Sequence, residues 1–464
     1  MRTTVLVPEA VVLGSALALV LAARLLPDYY LRWLGAAALV AAAVALALEL
    51  WLGAAIGTLF NGGWQQDRFA LFAKAALLLG LIVLIASSLE SQAEPDWSPL
   101  PAIFVVALGG MVAASATSLL ALWAGLEVAT LATVASAGLS SREAGTRLLL
   151  VSAVAGTLVA VGFAVLYATT GDSSLVALRT SLHPTSVSLA LALAVLLTLT
   201  GIVIRLGLAP FQWLEVEGGL RLTPLSAGAL GGLLVGVAAV VAAKLLSGLG
   251  AINVAWAPWL SVLAAVAMVG GCLFAATAAS PRAMAAWLVV AQAGWVAAGL
   301  ATHDIRGSAG ALLVLGGLLL AAAAAPALAG AEEGRQLAGL GRSQPLRAVG
   351  LALLLLSLAG APPLAGFVGQ FAVAAELVRS NMAWVLAAGL LGSLLALFAA
   401  FRVIRLLYLE SSPDQPRAMR PSRSAARTWS LSALAPALLV LLYGVLANPI
   451  SGLALQGAAA LKLP

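Results

Sequence analysis

Five of the charged residues inside apolar segments are the first candidates for chemistry. Glu127 is about ten residues from either end of its apolar run, and the other four are Glu49, Lys74, Arg205 and Lys244. Ionisable side chains in membrane segments face a polar interior and often carry protons in pumps and transporters. A structural ion pair is the alternative for Glu127, packing against a neighbouring subunit for Lys74 and Glu49, and snorkelling to the surface for Lys244.

Other kinds of chemistry find little support in the sequence. The single cysteine, Cys272, lies in an apolar run, which excludes a disulfide or a CxxC metal site. His183 and His303 are 120 positions apart near loops, which argues against haem or zinc ligation. Walker loops and dinucleotide fingerprints do not occur. We therefore expect no metal and no cofactor bound by this chain.

The composition indicates that these residues lie in membrane-spanning helices. Of 464 residues, 62% are hydrophobic and 9% are charged, whereas soluble domains carry about 25% charged residues. A soluble enzyme, a nucleic-acid binder and a disulfide scaffold are excluded, and an all-α integral membrane protein is predicted. Runs of about 20 apolar residues predict fourteen spans: 5–26, 33–56, 69–89, 99–117, 119–139, 147–168, 187–209, 224–247, 256–279, 283–302, 308–330, 347–377, 383–408 and 428–447.

Lysines and arginines are unevenly distributed between alternate loops. With the N-terminus outside, most of them fall on the inner side, as the positive-inside rule requires. An even number of spans then leaves both termini on the outer face of a bacterial-type inner (plasma) membrane. The proline- and arginine-rich segment Glu410–Arg427 is predicted to be a cytoplasmic connector near anionic headgroups, with partner docking as the alternative.

Two apolar runs are interrupted by proline, the first at Pro210 and the second at Pro362 and Pro363. Proline frees backbone carbonyls, and corresponding interrupted helices in two halves of a transporter indicate a repeat and a conduction site. The breaks are about 150 residues apart, which predicts two inverted five-helix repeats. Ordinary proline kinks are the alternative. The predicted divisions are N-terminal helices at 1–98, repeats at 99–250 and 251–410, and the connector with the last helix at 411–464.

Several motifs resemble one family. GLEVATLATVASAGLSSREAGTRLLL is similar to its fifth helix and the start of the sixth, LYATTG to the end of the sixth, RLGLAPFQW to its seventh, and LLLSLAGAPPLAGFVGQF to its interrupted twelfth. The family is that of the antiporter-like membrane subunits of respiratory complex I, specifically the subunit N type. The similarity covers roughly residues 60 to 410.

The resemblance implies a membrane subunit of an NADH:quinone oxidoreductase-type translocase, with no active site of its own. It implies other membrane-arm subunits and lipid as partners, and no nucleic acid. NADH, flavin, iron–sulfur clusters and quinone are implied in partner subunits. Among the site residues, Glu127 stands at the fifth-helix glutamate, Arg147 at the sixth-helix lysine and Arg205 at the seventh-helix lysine, as the natural partner of Glu127. Snorkelling is the alternative for Arg147.

The departures from the family pattern concern titratable positions. Gln212 and Gln292 stand where the family has histidines, Gln370 replaces the twelfth-helix lysine, and the eighth-helix lysine position falls at about Leu234. Glutamine can line a hydrated path but cannot change its charge, and Arg205 stays protonated. We therefore expect altered or absent pumping.

Glu376, six residues beyond Gln370, is a candidate substitute acid, and Lys244 lies ten residues beyond Leu234. Three functions remain open: redox-coupled proton translocation, a degenerate scaffold subunit without transport, and a related cation or proton transporter. The proteins that co-purify with the chain discriminate best among them.

Overall fold

The computed structural model describes residues 3–27, 33–53, 56–89, 97–182, 188–212, 216, 219–330, 337–410 and 423–461. Residues 411–422, the larger part of the connector predicted between Glu410 and Arg427, lie outside these residues, as do His183 and the two terminal segments.

The described chain is mostly helical. In chain order the α-helices are α1 (Val7–Leu25), α2 (Leu34–Leu52), α3 (Arg68–Ser88), α4 (Leu100–Ser115), α5 (Leu119–Ser140), α6 (Arg142–Thr170), α7 (Leu175–Ser181), α8 (Leu189–Arg205), α9 (Pro224–Gly228), α10 (Val235–Gly248), α11 (Asn253–Thr277), α12 (Pro281–Ala301), α13 (Ile305–Ala329), α14 (Leu340–Ser343), α15 (Pro345–Leu358), α16 (Ala365–Arg379), α17 (Ala383–Tyr408), α18 (Arg423–Val445) and α19 (Ala447–Ala460). Short 3₁₀ turns occupy Thr3–Leu6, Phe60–Gly62 and Gly250–Ile252, and Ala229–Leu234 is a π-helix.

Ten helices in the described residues are long and apolar enough to cross a membrane. A bent pair, Leu434–Val445 with Ala447–Ala460, turns by 79°. The sequence predicted a single span ending at 447, so the second member of this pair was missed. Pro449 explains the bend, because it lacks the N–H that would continue the helix from Val445.

Side-chain caps begin many of the helices. Asp67 accepts a hydrogen bond from the backbone N–H of Ala70 at 2.7 Å, and Ser118 caps α5 in the same way. Such caps satisfy backbone donors at helix ends that have no partner within the helix. Asp67 directly follows a small antiparallel hairpin, β1 (Gly57–Leu59) and β2 (Trp64–Gln66), which was not predicted from the sequence.

The centre of the bundle consists of α13, α12 and the α9–π–α10 unit, whose residues are almost all buried. The helix α13 packs against α3, α12, α15, α16 and α19. Apart from a few buried polar residues, such as Lys244 and Gln292, these helices are apolar on every face, as expected of helices surrounded by protein. The peripheral helices α1, α2 and α17 bury only one stripe each, and their remaining apolar faces point outward.

Three irregular segments interrupt this bundle. Helix α8 ends at Arg205, and the chain then passes Gly207 (φ +64°) and a cis peptide at Pro210. The predicted span 347–377 is two helices, α15 and α16, separated by Gly360 (φ +82°) and a cis peptide at Pro363. The third is the π-helix between α9 and α10, which the sequence analysis missed because it contains no proline.

Candidate functional site

An ion pair between two helices forms the centre of the candidate site. Nη2 of Arg205, in the last turn of α8, lies 2.6 Å from Oε1 of Glu127, in the middle of α5. The Arg205 side chain is 2% exposed and that of Glu127 is 19% exposed. The guanidinium is therefore sealed inside the protein, whereas the carboxyl group remains partly accessible.

Arg205 is also held by three oxygens besides the carboxylate. Its Nη1 donates to Oγ1 of Thr130 at 2.5 Å and to the carbonyl of Leu126 at 3.4 Å, and its Nη2 donates to the carbonyl of Ser152 at 3.2 Å. Its Nε is buried and has no partner. Since guanidinium keeps its proton, Arg205 holds the carboxyl group of Glu127 in position, and of the two groups only the carboxyl group can exchange a proton.

Gly156 of α6 provides the space for this pair. A Cβ atom at this position would lie 2.7 Å from Oε1 of Glu127 and 2.9 Å from Nη2 of Arg205. Both distances are well below ordinary contact, so a larger residue would displace the pair. The absence of a side chain at Gly156 is thus a geometric requirement of the site, and the sequence analysis did not identify it.

A row of hydroxyl groups runs along α5 from the ion pair. Thr130, Thr133, Ser136 and Ser140, hereafter the hydroxyl stripe, are three or four residues apart and therefore share one helix face. The first three are completely buried. Ten residues of helix correspond to about 15 Å. The sequence analysis missed this stripe, although its spacing is visible in TLATVASAGLS.

The hydroxyl stripe ends in a hydrogen-bonded group with the start of α9. Oγ of Ser226 lies 2.8 Å from Oγ of both Ser136 and Ser140, and Ser140 lies 3.0 Å from Oγ1 of Thr223. Each hydroxyl can both donate and accept. The stripe therefore extends from the neighbourhood of Glu127 to the end of the bundle at which α5 ends and α9 begins, and its last two members are hydrogen-bonded to α9.

The glutamines of the second half lie around the break between α15 and α16. Nε2 of Gln292 donates to the carbonyl of Leu358 at 2.7 Å, and Ser393 donates to Oε1 of Gln370 at 3.3 Å. Gln370 fits against Gly360, where an added Cβ would lie 2.0 Å from its Oε1. The amide of Gln292 thus satisfies a backbone carbonyl next to the break, and neither glutamine carries a charge.

The remaining predicted residues are separate from the ion pair. Arg147 is half exposed and pairs with Glu143 at 2.6 Å, which Arg221 also contacts at 3.0 Å. Glu376 is buried on α16, accepts a hydrogen bond from Ser380 at 3.3 Å and has Arg379 at 3.7 Å. Gln212 lies in the irregular segment after α8, and its buried Oε1 has no partner.

Lys244, Lys74 and Glu49 are all buried, and they come together at one end of the bundle rather than beside Arg205. Glu9 and Gln66 complete this arrangement and were not predicted from the sequence. Glu9 lies in the first turn of a helix, where a charge usually marks a membrane surface. In the part of the chain that the structure describes, no three His, Cys, Asp or Glu side chains form a group able to hold a metal ion.

Comparisons with known proteins match most of the chain. A family profile described as "NADH:quinone oxidoreductase/Mrp antiporter, TM" matches residues 116–396. A Cereibacter sphaeroides protein named NADH-quinone oxidoreductase subunit N is 32% identical over 435 residues, covering 90% of this chain and 92% of that protein. A protein of the same name from Trichlorobacter lovleyi is 29% identical over 436 residues, covering 89% and 88%.

A solved structure has the same architecture. In respiratory complex I from Thermus thermophilus with bound aureothin, one chain is 25% identical to this protein and superimposes with a TM-score of 0.75. The match covers 95% of this chain and 98% of that chain. The similarity therefore extends over nearly the whole chain.

Proposed function

The chain belongs to the family of NADH:quinone oxidoreductase and Mrp antiporter membrane subunits, and we propose that it is the subunit N type component of a complex I membrane arm, where it translocates protons. The family profile matches more than half of the chain, and the Cereibacter sphaeroides relative aligns over nine-tenths of it. The resemblance predicted from the helix motifs is thereby confirmed.

As a membrane-arm subunit, the chain has other membrane-arm subunits as its partners. We propose that it contributes no redox centre, and that NADH, flavin, iron–sulfur clusters and quinone react in other subunits of the assembly. Its contribution to the oxidoreductase is then mechanical and electrostatic. Redox chemistry elsewhere changes the field along the arm, and the charged groups of this chain respond by taking up or releasing protons.

The observation that carries the proposal is the buried pair of Glu127 and Arg205 at the end of the hydroxyl stripe. Glu127 is the titratable group, because Arg205 keeps its charge at all physiological pH values. The hydroxyl stripe and the group around Ser226 offer hydrogen-bonding groups to water along a path from Glu127 to the end of the bundle where α5 ends and α9 begins, and a proton can move along such water.

The second half is proposed to form a polar path in which few groups titrate. Gln292 and Gln370 lie beside the break between α15 and α16, where they can orient water but cannot hold a charge. Glu376 is the buried carboxylate on the same helix, about 9 Å further along α16 than Gln370 at 1.5 Å per residue. We assign it the role of substitute acid in this half.

The topology proposed for this function has fourteen spans. The ten long helices are completed by α4, by α8 with its irregular extension, by α15 with α16, and by the bent pair at the C-terminus. Residues 99–250 and 251–410 form two inverted five-helix repeats, preceded by the helices of 1–98 and followed by the segment 411–464. The excess of inner arginines supports an inner bacterial membrane with both termini outside.

Purification of the intact assembly tests this function. The chain is tagged at a terminus, extracted in mild detergent and analysed by mass spectrometry together with the absorbance of flavin and iron–sulfur clusters. We expect redox subunits and other membrane-arm subunits to co-purify. Isolation of the chain alone, or with a cation antiporter that lacks redox subunits, would contradict the assignment.

A scaffold without transport is the second candidate. It is favoured by the glutamines at 292 and 370, since both make bonds that a purely structural residue would make. In that case the Glu127–Arg205 pair would serve only to join α5 and α8. The two candidates differ in whether neutralising Glu127 changes the number of protons moved by the assembled complex.

A further inference from the structure

A second group of buried charges lies at one end of the bundle, outside the site of Glu127. Nζ of Lys74 lies 2.5 Å from Oε1 of Glu9 and 2.6 Å from Oε1 of Gln66. Nε2 of Gln66 in turn donates to Oε1 of Glu49 at 2.7 Å. Helices α1, α2 and α3 are thus linked through one continuous chain, Glu9–Lys74–Gln66–Glu49.

A second ion pair adjoins this chain. Nζ of Lys244, in the last turn but one of α10, lies 3.9 Å from Oδ2 of Asp67, the residue directly after Gln66. The same Nζ lies 5.3 Å above the ring of Phe69. Lys244 therefore does not snorkel to the surface but turns into the protein. We call Glu9, Glu49, Gln66, Asp67, Lys74 and Lys244 the acid–lysine cluster.

The acid–lysine cluster is sealed from solvent in the described chain. Glu49 and Lys74 are 0% exposed, and none of the other four members exceeds 7%. Buried charges are costly unless each has a partner. The Trp64 ring, whose centroid lies 5.0 Å from Nζ of Lys74, adds a cation–π contact, but its Nε1 makes no hydrogen bond.

The charges of the cluster do not balance. Its charged groups are Glu9 from α1, Glu49 from α2, Asp67 and Lys74 from the start of α3, and Lys244 from α10, while α4 contributes only the hydroxyl of Ser115, at 3.4 Å from Oε1 of Gln66. Three carboxylates therefore face two ammonium groups. If every group were ionised, one negative charge would remain uncompensated in a closed, apolar site.

Two carboxylate oxygens have no partner to compensate that charge. Oε2 of Glu49 and Oε2 of Glu9 are both buried and accept no hydrogen bond. An ionised carboxylate oxygen without a donor is much less favourable in such a site than a protonated one. One proton on either of these two oxygens would therefore neutralise the cluster.

We propose that the acid–lysine cluster is a second proton-binding site, which holds one proton on the Glu49–Glu9 carboxyl pair. Gln66 and Lys74 connect the two carboxyl groups, so the proton is assigned to the coupled pair and not to one residue. Lys244 on α10 couples the site to the central unit of the bundle. Proton binding here is independent of the proposed function, and only a role in translocation rests on it.

Infrared difference spectroscopy of the intact complex in lipid tests proton binding without turnover. The C=O stretch of a protonated carboxyl group is recorded over a pH series, in light and heavy water. We expect the Glu49→Gln variant to lose one protonated-carboxyl band per complex. The Glu143→Gln variant, at an exposed carboxylate of α6, is expected to keep it.

A second variant keeps the test decisive if Glu49→Gln does not assemble. The Glu9→Gln change leaves two carboxylates opposite two lysines, so that no proton is needed, and it is expected to lose the same band. An unchanged band in both assembled variants would overturn the proposal. So would a band that responds to sodium at constant pH, because the ligand would then be a metal cation rather than a proton.

The same preparations separate this proposal from the proposed function. If Glu127→Gln abolishes proton transport by the chain while the cluster band persists, the two sites are distinct and the proposal stands. If the band is lost in Glu127→Gln, the band belongs to Glu127 and the proposal fails.

Discussion

Placing a methyl group at Gly156 perturbs the candidate site without removing any of its charged groups. In Gly156→Ala the new Cβ would lie 2.7 Å from Oε1 of Glu127 and 2.9 Å from Nη2 of Arg205. Ordinary contacts begin at about 3.5 Å, so each atom must retreat by about 0.6 to 0.8 Å. Nη2 of Arg205 and Oε1 of Glu127 are already 2.6 Å apart, so neither atom can move closer to the other.

The cost of this displacement follows from the bond it breaks. A hydrogen bond between charged groups contributes about 1.5–3 kcal/mol. Since 1.4 kcal/mol corresponds to a factor of ten, the original geometry of the pair becomes about 10- to 100-fold less populated. Alanine favours a helix over glycine by about 1 kcal/mol, so α6 itself is not weakened by the change.

The assay is proton translocation per electron pair in the complex reconstituted into vesicles, measured beside the rate of quinone reduction. We expect Gly156→Ala to lower the ratio of protons to electrons while the complex still assembles. Gly138→Ala on α5 is the matched control, because an added Cβ there meets nothing within 4 Å. A normal ratio in an assembled Gly156→Ala complex would refute the view that the pair's geometry matters for transport.

Three further predictions concern other parts of the site. Ser226→Ala interrupts the group at the end of the hydroxyl stripe and is expected to lower the same ratio, whereas Thr157→Ala, at an exposed hydroxyl of α6, is expected to leave it unchanged. Equal ratios in the two variants would exclude the stripe as a path. Glu376→Gln is expected to lower the ratio as well, and an unchanged value would reject Glu376 as the substitute acid. Burial and the nearby positive charge of Arg179 lower the pKa of His303 below its usual value of 6.5. The folded protein therefore binds this proton less well than the unfolded chain, so His303 costs stability as the pH falls below about 6.5. We expect the melting temperature of the complex to fall less between about pH 7 and about pH 5 in His303→Gln than in the unchanged protein, and an identical pH dependence would contradict this reading.

The ion pair could be predicted from the sequence because charge is rare in apolar runs. Glu127 and Arg205 stand out in their helices, and a buried charge requires a partner. The hydroxyl stripe could not be predicted with the same ease. Thr130 and Thr133 both bond to carbonyls one turn earlier, at 2.7 and 2.9 Å, as serine and threonine commonly do in membrane helices. Residue type alone therefore does not reveal which hydroxyls face a path.

The acid–lysine cluster could not be predicted from the sequence either, for a different reason. Asp67 caps α3, and Glu9 lies in the first turn of α1, so neither position indicates a buried ionic group in the sequence. Only the tertiary packing, of α2 and α10 on α3 and of α1 on α2 and α4, brings them to Lys74 and Lys244. The π-helix before α10 and the bend before α19 were missed because they depend on tertiary packing or on a proline at the end of an apolar run.

The central claim is that the carboxylate of Glu127 carries protons through this subunit. Its most direct test is the ratio of protons translocated to electrons transferred in the assembled complex with the Glu127→Gln change, which keeps the shape of the side chain and removes its charge. The claim predicts a lower ratio at a retained rate of quinone reduction. An unchanged ratio in a fully assembled complex would contradict it and would favour a scaffold role for the chain.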